Sequence, residues 1–152
     1  MKSEELRAKQ APLKEQFRQS PGSALVTLHA EGQLGEGVSC SVDTGRALVE
    51  AGLHAATGGN GMQACSGDML LQALVACAGV TLSAVATSLE IPIDGGTLRA
   101  EGDLDFRGTL GVSKEAPVGF QAIRLYVELD TSASAEKVGK LLELTERYCV
   151  VL

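Results

Sequence analysis

A chain of 152 residues with a net charge of −6, no Trp, three Phe and two Tyr is long enough for one domain with its own core, without disulfide or metal staples. The acidic balance argues against nucleic acid or an anionic membrane surface as partner, and the shortage of aromatics removes the stacking platforms that single-strand binders use. Four cysteines without a CxxC pair and two histidines without an HxxxH pair also argue against a structural zinc site.

Residues 2–19 carry charges of both signs and no apolar h-region, so they do not read as a secretory signal, and the cytoplasm is the expected location. They favour a charged helical arm broken near Pro12 and ended by Ser20, Pro21 and Gly22. The expected division is an arm over 1–22 and a single domain over 23–152. Three strands follow in expectation, Ala24–His29, Gly37–Val42 and Arg46–Ala51, separated by the Gly-bearing turns EGQLGEG and DTG. Val38, Cys40 and Val42 would share a face of this antiparallel meander, making Cys40 a small core residue.

The stretch His54–Gly67 has loop composition. Its glycines 58, 59 and 61 precede a helix, but neither GxxxxGK[ST] nor GxGxxG is present, so a phosphate cradle is not expected. Asp68 suits the first turn of the helix through its dipole. Cys65, just ahead of the helix start, is a secondary thiol candidate whose thiolate the same dipole favours. The helix itself, expected over Asp68–Leu89, would run about 33 Å at 1.5 Å per residue, with Cys77 near its middle. Met69 to Leu89 is free of charge and long enough to cross a bilayer. Its Gln72, Thr81, Ser83, Thr87 and Ser88, the acidic flanks Asp68 and Glu90, and Pro92 immediately beyond favour a core helix instead.

Thr97–Arg107 alternates strictly, with Leu98, Ala100, Gly102, Leu104 and Phe106 on one face and charges on the other, the pattern of a half-buried strand. Phe120–Leu129 pairs with it in expectation, with Ile123, Leu125, Val127 and Leu129 inward. Thr131–Ser134 offers N-cap residues for a last helix through about Arg147. Its apolar positions Val138, Leu141, Leu142 and Thr145 follow the helical period, and Cys149 continues the series toward the core. The order is βββαββα, an α+β fold.

One thiol thus sits inside the core helix and another closes the last helix on its inner side. A disulfide needs their Cα atoms within about 7 Å, and the sequence leaves open whether they meet. The stretch Asp68-Met-Leu-Leu-Gln-Ala-Leu-Val-Ala-Cys77, its continuation to Leu89-Glu-Ile-Pro, the segment Pro117-Val-Gly-Phe-Gln-Ala-Ile123 and Glu146-Arg-Tyr-Cys149 together resemble the OsmC/Ohr superfamily of osmotically inducible and organic-hydroperoxide-resistance proteins. The resemblance runs from about Ala24 onward. It implies antiparallel sheets wrapped around a long central helix in an intertwined homodimer.

It also implies a thiol peroxidase without cofactor or metal. Cys77 would attack an organic hydroperoxide, Cys149 would resolve the sulfenic acid as a disulfide, and a lipoyl-type dithiol would reduce the pair. The best-studied relatives activate the attacking cysteine with an early Arg held by a Glu ten residues before it. Here Gly67 stands at that position and the first turn has no Arg, so Asp68 and Arg46 are the weak auxiliary candidates, with Arg107 and Arg124 read as strand charges. These departures imply a divergent branch. The alternative is a dimer that senses redox state or binds a small apolar ligand without turning over.

Overall fold

The computed structural model describes residues 2–5, 8, 10, 11, 19, 20, 31–34, 39–43, 48–57, 59–110 and 113–152. Three strands, β1 (Glu31–Leu34), β2 (Ser39–Asp43) and β3 (Leu48–Gly52), form a meander in that order. Both pairings are antiparallel, with Leu34 opposite Cys40 and Val42 opposite Val49. The first strand corrects the sequence reading, which put a turn over residues 31–37. Pairing with β2 supplies Glu31–Leu34 with ladder hydrogen bonds, and this overrides the turn tendency of Gly32. The strand expected at Ala24–His29 lies outside the described residues, as do Arg46, most of the N-terminal arm and the Cys40 side chain.

The chain leaves β3 through a turn of 3-10 helix, Ala55–Thr57, tied to His54. Thr57 donates from both its N–H (2.8 Å) and its hydroxyl (2.9 Å) to the His54 carbonyl, and Gly59 adds a third donor at 3.1 Å. Only glycine fits at 59, because a Cβ there would lie 1.7 Å from the Leu53 carbonyl oxygen. The chain then returns to the sheet edge, where Gly52 N–H donates to the Ala64 carbonyl at 3.0 Å.

Helix α1 spans Ser66–Ser88 and carries no charge beyond Asp68 in its first turn. Its end is a Schellman motif. Glu90 takes the left-handed conformation (φ 56°), its N–H donates to Thr87 at 3.2 Å and that of Ile91 to Ala86 at 2.9 Å. Pro92 then forbids continuation. Strands β4 (Gly95–Asp103) and β5 (Ala122–Asp130) make a two-stranded sheet. Asp94 N–H donates to Asp130 at one end and Gln121 N–H to Asp103 at the other, an antiparallel match. The strand predicted through Arg107 stops at Asp103, and Phe106–Thr109 forms the short helix α2. Leu125, Val127 and Leu129 are half-buried as expected, but Ile123 is 44 % exposed.

The last helix, α3, spans Ala135–Tyr148, and the Ser134 side chain accepts from Lys137 N–H. Leu141 and Thr145 are buried on its inner stripe, whereas Leu142, one step around the helix, is 38 % exposed. The described chain falls into two compact units. One contains Val75–Leu98 and Val127–Leu152, the other Arg99–Tyr126 with the described residues between His29 and Leu74. The core of the first is Leu82, Ala86, Ile91 and Leu141, with Val85, Val127 and Leu129 packed against them.

Candidate functional site

The side chain that defines the site is Cys149, and its position follows from the phase of α3. Leu141, Thr145 and Cys149 are spaced by four, so the stripe that buries the first two carries the third inward. Cys149 is the C-cap, its N–H donating to the Thr145 carbonyl at 2.9 Å, and it is 6 % exposed. On α1 the buried stripe of the same unit runs through Ala78, Leu82 and Ala86. Cys77 stands at the edge of that stripe, half-buried.

The two elements bring the thiols together. Cys77 Sγ and Cys149 Sγ are 3.3 Å apart and hydrogen-bonded, although the residues are 72 positions apart. Both are reduced thiols. Either can rotate its proton into the contact, and donation by Cys77 favours a thiolate on Cys149.

Burial pushes the Cys149 thiol up, but donors outweigh it: the Val151 N–H first, then the Cys77 thiol, the Leu152 N–H and the Thr81 hydroxyl. The net result holds Cys149 below its ordinary value. Thr81 was not anticipated as part of the site. The signal was present, since Thr81 follows Cys77 by four residues and therefore shares its helix face.

The other sequence candidates are placed elsewhere. Cys65 is half-buried just before α1, and with Asp68 it lines a cavity in the second unit, together with His54. Arg124 is committed to a forked ion pair, Nη1 and Nη2 donating to the Asp103 carboxylate at 2.5 and 2.7 Å. That guanidinium holds the Asp103 carboxyl below its usual range, and the pair raises Arg124 in turn. Tyr126 donates to Glu101 at 3.3 Å, and the Arg99 guanidinium lies 4.3 Å above the Tyr126 ring. The charged face of β4 predicted from alternation is thus a network of paired side chains.

The family model of OsmC-like proteins matches residues 58–152. No curated protein sequence matches the chain. Among solved structures, an OsmC-like protein from Mycoplasma pneumoniae superposes with a TM-score of 0.68 at 16% identity, covering 83% of this chain and 84% of that one. An organic hydroperoxide resistance protein OsmC from Legionella pneumophila gives 0.64 at 17% identity, covering 84% and 87%. An organic hydroperoxide resistance protein from Elizabethkingia anophelis gives 0.65 at 19% identity, covering 82% and 84%. At these identities the likeness is one of fold. Because the family model spans both cysteine-bearing helices and the hairpin between them, the chain belongs to the OsmC-like protein family.

Proposed function

We propose that the protein is a thiol-dependent peroxidase that reduces organic hydroperoxides through Cys77 and Cys149. The observation that carries this reading is the 3.3 Å separation of two reduced sulfurs, close enough that a small closure makes the bond of about 2.05 Å. Exposure assigns the roles. The half-buried Cys77 offers a hydroperoxide more room than Cys149, which is 6 % exposed.

The Cys77 thiolate attacks the distal peroxide oxygen, giving a Cys77 sulfenic acid and, after protonation, an alcohol. Cys149, held below its ordinary pKa, attacks that sulfenic sulfur; the S–O bond breaks, water leaves and the disulfide forms. A lipoyl-type dithiol returns both thiols by two exchanges and leaves as its own disulfide. Family membership and the two neighbours named for organic hydroperoxide resistance support the substrate class.

The reading includes a homodimer in the cytoplasm, where thiols stay reduced. Support for the dimer comes from α1, a helix long and apolar enough to cross a membrane by length and composition alone, with only 22% of its apolar window buried. Val80 on it is 72 % exposed. A second subunit would cover such a face at lower cost than water does.

The test is turnover of cumene hydroperoxide with dihydrolipoamide. Wild type is expected to consume many equivalents and Cys77→Ser none. Undiminished consumption by Cys77→Ser would sink the reading. A wild type that oxidises once and stops would favour a sensor over an enzyme.

A further inference from the structure

The chain contains a single asparagine, Asn60, and a glycine follows it. Such a step sets a side-chain amide beside a main-chain nitrogen that no neighbouring Cβ shields. Both residues are exposed, in the segment that joins β3 to α1, and Met62 beyond them is 84 % exposed. Gly61 has a φ of +74°, which glycine adopts without steric cost, and a Cβ there would meet no described heavy atom within 4 Å. Water therefore reaches this tip freely.

The tip is nevertheless held from both sides. Before it, the Gly59 N–H donates to the His54 carbonyl at 3.1 Å. After it, the Ala64 N–H donates to the Glu50 carbonyl at 2.9 Å, and the Ala64 carbonyl accepts from the Gly52 N–H at 3.0 Å. Between these ties the Met62 N–H donates to Asn60 Oδ1 at 2.9 Å. That bond folds the side chain back along its own main chain. It also puts a donor on the one oxygen that gains negative charge when a nucleophile adds to Cγ, the arrangement that stabilises a tetrahedral intermediate.

We propose that Asn60-Gly61 is a self-modifying site, at which the Gly61 nitrogen closes on Asn60 Cγ and water reopens the ring as isoaspartate or aspartate. The Gly61 nitrogen loses its proton to water and forms a bond to Cγ, while charge gathers on Oδ1 under the Met62 N–H. The Cγ–Nδ2 bond then breaks, and ammonia leaves with a proton from water. Water adds to either carbonyl of the resulting succinimide. Opening at the Asn60 main-chain carbonyl gives isoaspartate, and opening at Cγ gives aspartate. Nothing is oxidised or reduced, water is the only co-reactant, and Cys77 and Cys149 take no part. Either product adds a carboxylate to the segment, and isoaspartate also lengthens its main chain by a carbon.

The test is storage of the reduced full-length protein at physiological temperature and neutral pH, with samples taken over time. Isoaspartate is read by enzymatic carboxyl methylation from labelled S-adenosylmethionine and located at position 60 by peptide fragmentation. Folded wild type is expected to convert at least as fast as a synthetic peptide of residues 55–66. Met62→Pro removes the donor at an exposed side chain. The folded variant is expected to react about tenfold more slowly than wild type, the worth of a hydrogen bond to a charged oxygen. In urea, where that bond is absent from both proteins, the two rates should converge. The comparison of wild type with the peptide stands whether or not the variant folds. Conversion of folded wild type more slowly than the peptide, a folded Met62→Pro as fast as wild type, or a ratio that urea leaves unchanged would each overturn the proposal.

Discussion

Cys77 in the middle of α1 and Cys149 at the C-cap of α3 meet sulfur to sulfur at 3.3 Å across 72 residues of sequence. Because the distance already approaches bonding range, oxidation needs no large rearrangement. One equivalent of cumene hydroperoxide is expected to remove two titratable thiols and leave an intramolecular Cys77–Cys149 disulfide in the peptide map. In Cys149→Ser the same equivalent should leave a sulfenic acid on Cys77 that dimedone traps. Removing the attacking thiol should lower the oxidation rate by on the order of 10³-fold or more, as losses of a nucleophile do. A Cys149→Ser protein that forms no dimedone adduct would argue against this order of events.

Thr81 joins the pair through its hydroxyl, which donates to Cys149 and helps hold that thiol below 9.0. Thr81→Val keeps the branched shape and removes the donor. A lost donor to the charged form raises the pKa, so the midpoint of Cys149 alkylation against pH should move up in the variant. Resolution of the sulfenic acid should slow most below the wild-type midpoint, where the thiolate fraction falls. Coincident pH profiles would exclude Thr81 from the site.

Asp103 is held below 3.8 chiefly by the hydrogen bonds from Arg124. A carboxyl depressed in the folded state stabilises it above its unfolded pKa and loses that contribution as pH falls through the folded value. The melting temperature of wild type should therefore fall more steeply than that of Asp103→Asn as pH drops below 3.8. The pair is exposed, so salt should shrink the difference. Parallel curves for the two proteins would show that the ion pair contributes nothing to stability.

Leu141 is fully buried at 0% exposure and sits among Leu82, Ala86 and Ile91. Leu141→Ala should cost about 2–5 kcal/mol in urea unfolding, through lost transfer energy and the cavity left behind. Leu142→Ala, at a side chain 38 % exposed, should cost less than about 1 kcal/mol. Equal costs at the two positions would mean that α3 is not phased as described.

Local pattern carried most of the secondary structure. The alternation over Thr97–Asp103, the charge-free run ending at Pro92 and the Ser134 cap followed by Glu136 each point to one element through spacing and capping chemistry alone. Periodicity also put Cys149 on the inner stripe of α3. It failed where a partner strand decided the outcome, at Glu31–Leu34, and where alternation ran past the end of the ladder, at Leu104–Arg107. Leu142 and Ile123 show a third limit, because an apolar residue beside the buried stripe reads the same in sequence whether or not anything covers it.

By itself, then, the sequence determined the two long helices, the hairpin and the inward phase of Cys149, because each depends on residues within a few turns of one another. The 3.3 Å contact between Cys77 and Cys149 was decided only by tertiary structure, as were the donors gathered on Cys149 and the cavity beside Cys65. Distances between residues remote in the chain are set by how helices pack, and no local spacing encodes that.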